Sequence, residues 1–164
     1  MAGDIFLWLD NIAGESADAV EGAHVRDIEV LDWSWGMANA SPLELKTKDA
    51  SPQLKPADIS VTKNVDTASA TLMQYCAKGD PITGGTLACR KNAGESKIEY
   101  LMLDFYDAKV RSVKWTAGED GHVTEVVKLY FEKFETTYRP QDDETGQSKG
   151  STHFGFDIKG HQKL

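Results

Sequence analysis

Apolar residues in this chain recur mainly with a period of two, and that alternation restricts most of its length to extended strands. In residues 24–35 (HVRDIEVLDWSW), Leu31, Trp33 and Trp35 point one way along an extended backbone, and Val30, Asp32 and Ser34 the other. The same reading predicts strands at 4–9, 57–64, 85–91, 97–106, 108–116, 122–138 and 153–159. Turn-forming residues separate several of them: Gly84-Gly85, Asn92-Ala93-Gly94 and Gly118-Glu119-Asp120-Gly121. One stretch changes period. Asp66 or Thr67 caps a helix of about 67–78 with Ser69, Leu72, Met73 and Cys76 on its stripe and Tyr75 alongside. Gly79 suits the position just past its end, and Pro81 prevents it from resuming. These elements predict a mainly β fold, an antiparallel barrel or sandwich with one helix laid across an end or a side. There is no fixed-period repeat and no interdomain linker, so a single domain is expected over 1–164, with long loops at 36–56 and 140–152.

Two of the strands are apolar on both faces. In 97–106, Ile98, Tyr100 and Met102 oppose Leu101, Leu103 and Phe105. In 122–138, Val123, Val127, Leu129 and Phe131 oppose Val126, Tyr130, Phe134 and Tyr138. A solvated antiparallel sheet keeps one face polar, so the second face needs a cover, either the helix and loops or another subunit. At about 17 residues, the stretch 122–138 is longer than an ordinary strand. It is expected to bend between two sheets or to project beyond its own barrel.

Composition removes several functions. A formal charge of −8 opposes binding to nucleic acid through phosphates and docking on an anionic membrane. The longest apolar run, Ile5 to Leu9, is too short to span a bilayer, and Asp4 before it has the wrong charge for a signal peptide. The chain is therefore expected to be cytosolic when made, and to leave the cell, if it does, by a route that reads no N-terminal signal. Cys76 and Cys89 have no metal-ligand spacing and are expected to be reduced core residues. His24, His122, His153 and His161 are scattered, and Asp142-Asp143-Glu144 lacks the ligand alternation of a calcium loop. No nucleophile elbow, phosphate loop or paired-carboxylate context is present, so no catalytic, cofactor or metal site is assigned. Trp33 and Trp35 pose a competing reading, ahead of a small hydrolase whose site the sequence does not display. Neighbouring indoles on a sheet face stack on sugars in carbohydrate-binding modules, but their sharing a side with Leu31 favours core packing.

Taken in order, the segments resemble the Hcp family, the tube protein of the bacterial type VI secretion system. Gly14-Glu15-Ser16 with Asp18 resembles the family's Gly-Glu-Ser-x-Asp turn, and Ile28 to Gly36 its second-strand signature. Leu72-Met73 with Cys76 and Gly79 resembles its helix. Glu99-Tyr100-Leu101, Val110, Ser112-Val113, Glu125, Leu129 and Phe131 continue the match. Tyr138-Arg139-Pro140-Gln141 and Gly155-Phe156-Asp157-Ile158 close it. The resemblance implies an antiparallel β-barrel of two sheets with the helix packed alongside, assembled as a hexameric ring. Rings stack into a hollow tube that a contractile sheath ejects, with effector proteins carried and protected in the lumen. The implied partners are the same chain, sheath, spike and baseplate proteins, and effectors. The implied location is cytoplasmic while assembled and extracellular after secretion, with no enzyme activity and no toxin domain after the last strand.

Strand alternation on that fold makes Asp32 and Ser34 the expected lumen residues, and Tyr130, Phe134 and Tyr138 the candidate subunit contacts. Loop 36–56 departs from the Gly- and Ser-rich sequence common in the family. It carries Pro42, Pro52 and Pro56 with Lys46, Lys48 and Lys55. Those lysines are expected to meet acidic loops, such as 142–144, of a stacked ring.

Overall fold

In the strand Ile59–Asn64, Ile59, Val61 and Lys63 are buried while Ser60, Thr62 and Asn64 are not, the alternation expected of a sheet with one face on a core. A computed structural model describes residues 4–18, 24–40, 53–93, 96–141 and 149–164. The described elements are β1 (Asp4–Leu9), β2 (Ile28–Glu29), β3 (Asp32–Ser34), β4 (Met37–Ala40), β5 (Gln53–Pro56), β6 (Ile59–Asn64), α1 (Ala68–Lys78), β7 (Ile82–Ala93), β8 (Ser96–Ala117), β9 (Val123–Tyr138), β10 (Thr152–Asp157) and β11 (Gln162–Lys163). Nine strands form one antiparallel sheet along the path β11-β10-β9-β8-β7-β1-β2, with β6 pairing β9 and β3 pairing β6.

The sheet closes on itself through the expected strand at 24–35, which divides in two. β2 pairs with β1, and the Val30 N–H still donates to Ile5 O at 3.0 Å. One residue later the Leu31 N–H donates to Thr62 O at 2.8 Å, and β3 continues on β6. The segment thus hands over from one edge of the sheet to the other. Leu31 sits at the handover and is 54% exposed, so it does not share the inward side of Trp33 and Trp35 as alternation predicts.

The strands expected at 97–106 and 108–116 are one strand of 22 residues with a kink where they were divided. Asp107 takes a φ of 54° there. Up to that point the odd-numbered residues Leu103 and Phe105 are buried; beyond it the even-numbered Ala108 and Val110 are. On β9, opposite, Val127, Leu129 and Phe131 are buried on odd positions and Phe134 on an even one. β9 bends as it changes neighbour, pairing with β6 from Thr124 to Leu129 and with β10 from Lys133 to Tyr138. Much of the two-sided apolar pattern is therefore one inner face that changes parity along bent strands. Gly85 fits the same bend, because a Cβ there would lie 2.5 Å from the Phe105 ring.

α1 packs on β8 and buries Ala68, Ser69 and Leu72, with Tyr75 and Cys76 half-buried. Met73 lies off that stripe and is exposed. Asp66 caps the helix, its carboxylate accepting from the Ala68 N–H at 2.9 Å while its own N–H donates to Ser69 Oγ at 3.0 Å. Gly79 ends it with φ 69°. Cys76 and Cys89 are free thiols, and burial pushes the Cys89 thiol above its ordinary pKa.

Below the helix start lies a cross-strand row that is buried at Lys63 and Glu125 and ends at the exposed Trp115. Lys63 and Glu125 are register partners, both fully buried, and Trp115 is the next residue across. Lys63 Nζ donates to Asp66 Oδ1 at 2.8 Å and to Asn64 O at 2.9 Å, and lies 3.7 Å from Glu125 Oε1. The Trp115 indole N–H donates to Glu125 Oε2 at 2.9 Å. Removing one partner strands the other charge in the interior, so Lys63→Ala is expected to cost about 3–5 kcal/mol. Lys63→Met with Glu125→Leu is expected to cost far less. Urea unfolding of the two variants against wild type checks this.

Candidate assembly surfaces

β3 points its two polar side chains outward. Asp32 and Ser34 are exposed, and the Asp32 carboxylate accepts from the Trp33 N–H at 2.9 Å. Residues directly opposite in register share a face, so this surface continues through Thr62 and Ser60 on β6 to Val126 and Lys128 on β9. The structure therefore adds three polar residues to the two expected from the sequence. Trp33 packs half-buried on the core. The Trp35 ring lies 4.9 Å from that of Phe134 and 5.7 Å from that of Phe131, and its N–H donates to Ala57 O. With both indoles turned to the core, the sugar-stacking reading loses its platform.

The three candidate contact aromatics separate. Tyr138 is 44% exposed. Tyr130 is half-buried under the Arg111 guanidinium, 4.4 Å from the ring centroid, and Arg111 pairs in turn with Asp58 at 2.6 Å. Phe134 is wholly buried among Trp35, Phe131 and Phe154, because the parity change in β9 turns it inward. It belongs to this chain's own core and offers no surface to a neighbour.

The two ends of the 36–56 loop pair as a hairpin, β4 with β5, from Met37↔Pro56 to Ala40↔Gln53. It continues the β3–β6 ladder, since the Ala57 N–H donates to Gly36 O at 2.8 Å. Lys55 is exposed on β5; Lys46, Lys48 and most of the 140–152 loop, 142–148, lie outside the described residues.

A charged cluster that sequence reading missed fixes the segment before β2 to the barrel. Gly14 lies so close to Asp27 that a Cβ would stand 2.4 Å from its carbonyl oxygen. The Gly14 N–H donates to Arg26 O, and the Ser16 N–H to Asp27 O. Asp18 then holds Arg90 in a two-pronged pair at 2.8 and 3.0 Å. Arg90 covers one face of Phe6, 4.6 Å from the centroid, and His24 stacks in parallel on Phe6 at 4.5 Å. His24 meets Asp27 at 2.8 Å and Glu99 at 2.5 Å. The one signal available was an arginine directly after Leu87, Ala88 and Cys89 in a buried run.

The hydrogen bond from Lys97 holds the Asp4 carboxyl below its ordinary value of 3.8; partial burial opposes this, and the charges of Lys97 and Arg90 reinforce it. The Asp18 hydrogen bond raises the Arg90 pKa, against desolvation. Because folding lowers the Asp4 pKa, its contribution is fully present above pH 3.8 and is lost as pH falls through the lower folded value. The stability gap between wild type and Asp4→Asn is therefore expected to be constant from pH 5 to 7 and to shrink below about pH 4. Denaturant titrations across that range check it.

Comparison with known proteins gives one consistent answer. Residues 6–138 match the family model described as type VI secretion system effector, Hcp. Protein hcp1 of Pseudomonas aeruginosa is 32% identical over 161 residues, covering 97% of each chain. The crystal structure of Hcp1 from Salmonella typhimurium superposes with a TM-score of 0.81 at 30% identity, over 100% of both chains. A further structure of a type six secretion system protein gives a TM-score of 0.87 at 25% identity, covering 99% of this chain and 100% of that one.

Proposed function

This chain belongs to the Hcp family of type VI secretion proteins, and from that premise we propose that it is the subunit of a secreted tube. Six copies close into a ring, rings stack, and effector proteins travel in the lumen. The observation that carries the reading is the end-to-end match to Hcp chains, in sequence and in barrel. The role is structural, as is that of the family. The partners are further copies of the chain, the sheath around the tube, the spike and baseplate at its end, and the effectors inside. The tube is assembled in the cytoplasm and released outside the cell.

Within the ring, Asp32 and Ser34 face the lumen on the polar surface shared with Ser60, Thr62 and Lys128. The small side chains of Ser34, Ser60 and Thr62 leave room for cargo. Tyr130 and Tyr138 serve the contact between neighbouring subunits. The hairpin with Lys46, Lys48 and Lys55 serves the contact between rings.

Two measurements test this. Ser34→Trp is expected to leave the ring intact while lowering the amount of effector protected in the producing cell and exported, read by immunoblot of cells and medium. Unchanged export would remove Ser34 from the lumen. Six chains at −8 bring a formal −48 together, so stacking of rings is expected to respond more strongly to salt than ring closure does. Sedimentation from 0.05 to 0.5 M NaCl reads both steps.

A further inference from the structure

Asp and Glu outnumber Lys and Arg in this chain by 26 to 18, yet the outward face shared by β3, β6, β9 and β8 has the opposite balance. The row of Asp32, Thr62 and Val126 ends on β8 at Lys114, and the row of Ser34, Ser60 and Lys128 ends at Ser112. Next along β9 stands Tyr130, opposite Lys109 and beneath the Arg111 guanidinium. Arg111 is neutralised by Asp58 at 2.6 Å. That leaves Lys109, Lys114 and Lys128 against the single carboxylate of Asp32. Lys114 and Lys128 are exposed and Lys109 is half-buried. Among the described residues, none of the three pairs with a carboxylate. Asp32 lies three strands from Lys114, about 14 Å at the usual strand spacing, so it does not answer that charge directly.

Lys114 and Lys128 are diagonal neighbours across β8 and β9, which sets their Cβ atoms about 7–8 Å apart. Like charges at that spacing repel, and a counter-charge from outside the chain relieves them. The chemistry around them narrows what brings it. The two rows carry hydroxyls at Ser34, Ser60, Thr62 and Ser112 and no aromatic ring, and the Tyr130 face is already taken by Arg111. A single-stranded nucleic acid is held by open rings on which bases stack, as well as by a basic groove. Carboxylates on a folded protein need only ammonium groups and hydroxyl donors, which is what the rows supply.

We propose that this face selects acidic cargo: Lys114 and Lys128, with Lys109 beside them, bind surface carboxylates of a folded effector protein in the lumen. This deepens the tube reading and rests on it. Six copies turn the same face to one channel, where a closed wall of low dielectric makes their fields add. The rest of each chain stays acidic, so the charge that draws such a partner inward is matched by one that keeps it off the outer wall. Net charge alone points the other way, since a chain at −8 attracts basic partners.

The test uses the purified full chain, with ring mass read by light scattering and binding by titration calorimetry. The probes are one small folded domain in two surface versions, at net charges of about −8 and about 0, and a single-stranded oligonucleotide of matched negative charge. Rings are expected to bind the acidic domain at one copy per ring, because six chains face one channel. Binding is expected to fade as NaCl rises from about 0.05 to 0.3 M. Lys114→Gln with Lys128→Gln is expected to weaken it about tenfold or more with the ring mass unchanged. Lys114→Arg with Lys128→Arg is expected to retain it. Lys78→Gln with Lys159→Gln removes the same charge from exposed positions elsewhere and is expected to leave it within about twofold. Rings that ignore the acidic domain, or hold the neutral one equally well, would overturn the assignment and leave the ring standing. So would an equal loss in the Lys78 and Lys159 variant, six domains per ring, or an oligonucleotide held more tightly than the acidic domain. A chain that stays monomeric overturns the tube reading together with it.

Discussion

Two consecutive peptide groups hold this barrel shut. The Val30 N–H bonds to β1 and the Leu31 N–H to β6, so one short segment joins the two edges of the sheet. Without that handover β1 and β6 would each present unpaired backbone, which is the usual route to unwanted strand pairing. With it, the inward residues Ile28 and Val30 enter the same core as Ile59, Val61, Val127 and Leu129. Asp32 and Ser34 are then left outside. The polar surface proposed for the lumen thus follows from how the barrel closes, and so does the direction in which the hairpin leaves it.

The long strands β8 and β9 do the remaining work by bending. The kink at Asp107 lets one strand bury odd residues in its first half and even residues in its second, so a single apolar core of Phe105, Phe131 and Phe134 is built from both parities. The outer faces carry Val126, Tyr130 and Tyr138, half-buried or exposed. The charged cluster around Arg90 and the buried pair Lys63–Glu125 have a different role. They tie the segment before β2 and the start of the helix to the barrel wall.

What the amino-acid sequence made legible was local. Asp66 and Gly79 bounded the helix because capping is decided within a few residues, and alternation located most strands. The break read at Asp107 was real as a change of backbone direction, although the strand continues through it. Closure was not legible, because alternation in 24–35 does not report a change of hydrogen-bonding partner between Val30 and Leu31. Phe134 was misplaced for the same reason: parity was extrapolated across a bend. The Arg90–Asp18 and His24–Glu99 pairs lie 72 and 75 residues apart in sequence and leave no periodic trace. Lys63 and Glu125 did leave one, as charges occupying the inward positions of Ile59-Val61-Lys63 and Glu125-Val127-Leu129.

A tube of this chain requires that it close a ring with copies of itself. The solution mass of the purified protein, by light scattering coupled to size exclusion, addresses that most directly. The monomer is 18.1 kDa, and a sharp species of six such masses, about 109 kDa, is expected to persist on dilution. A clean 18.1 kDa monomer at every concentration would contradict it.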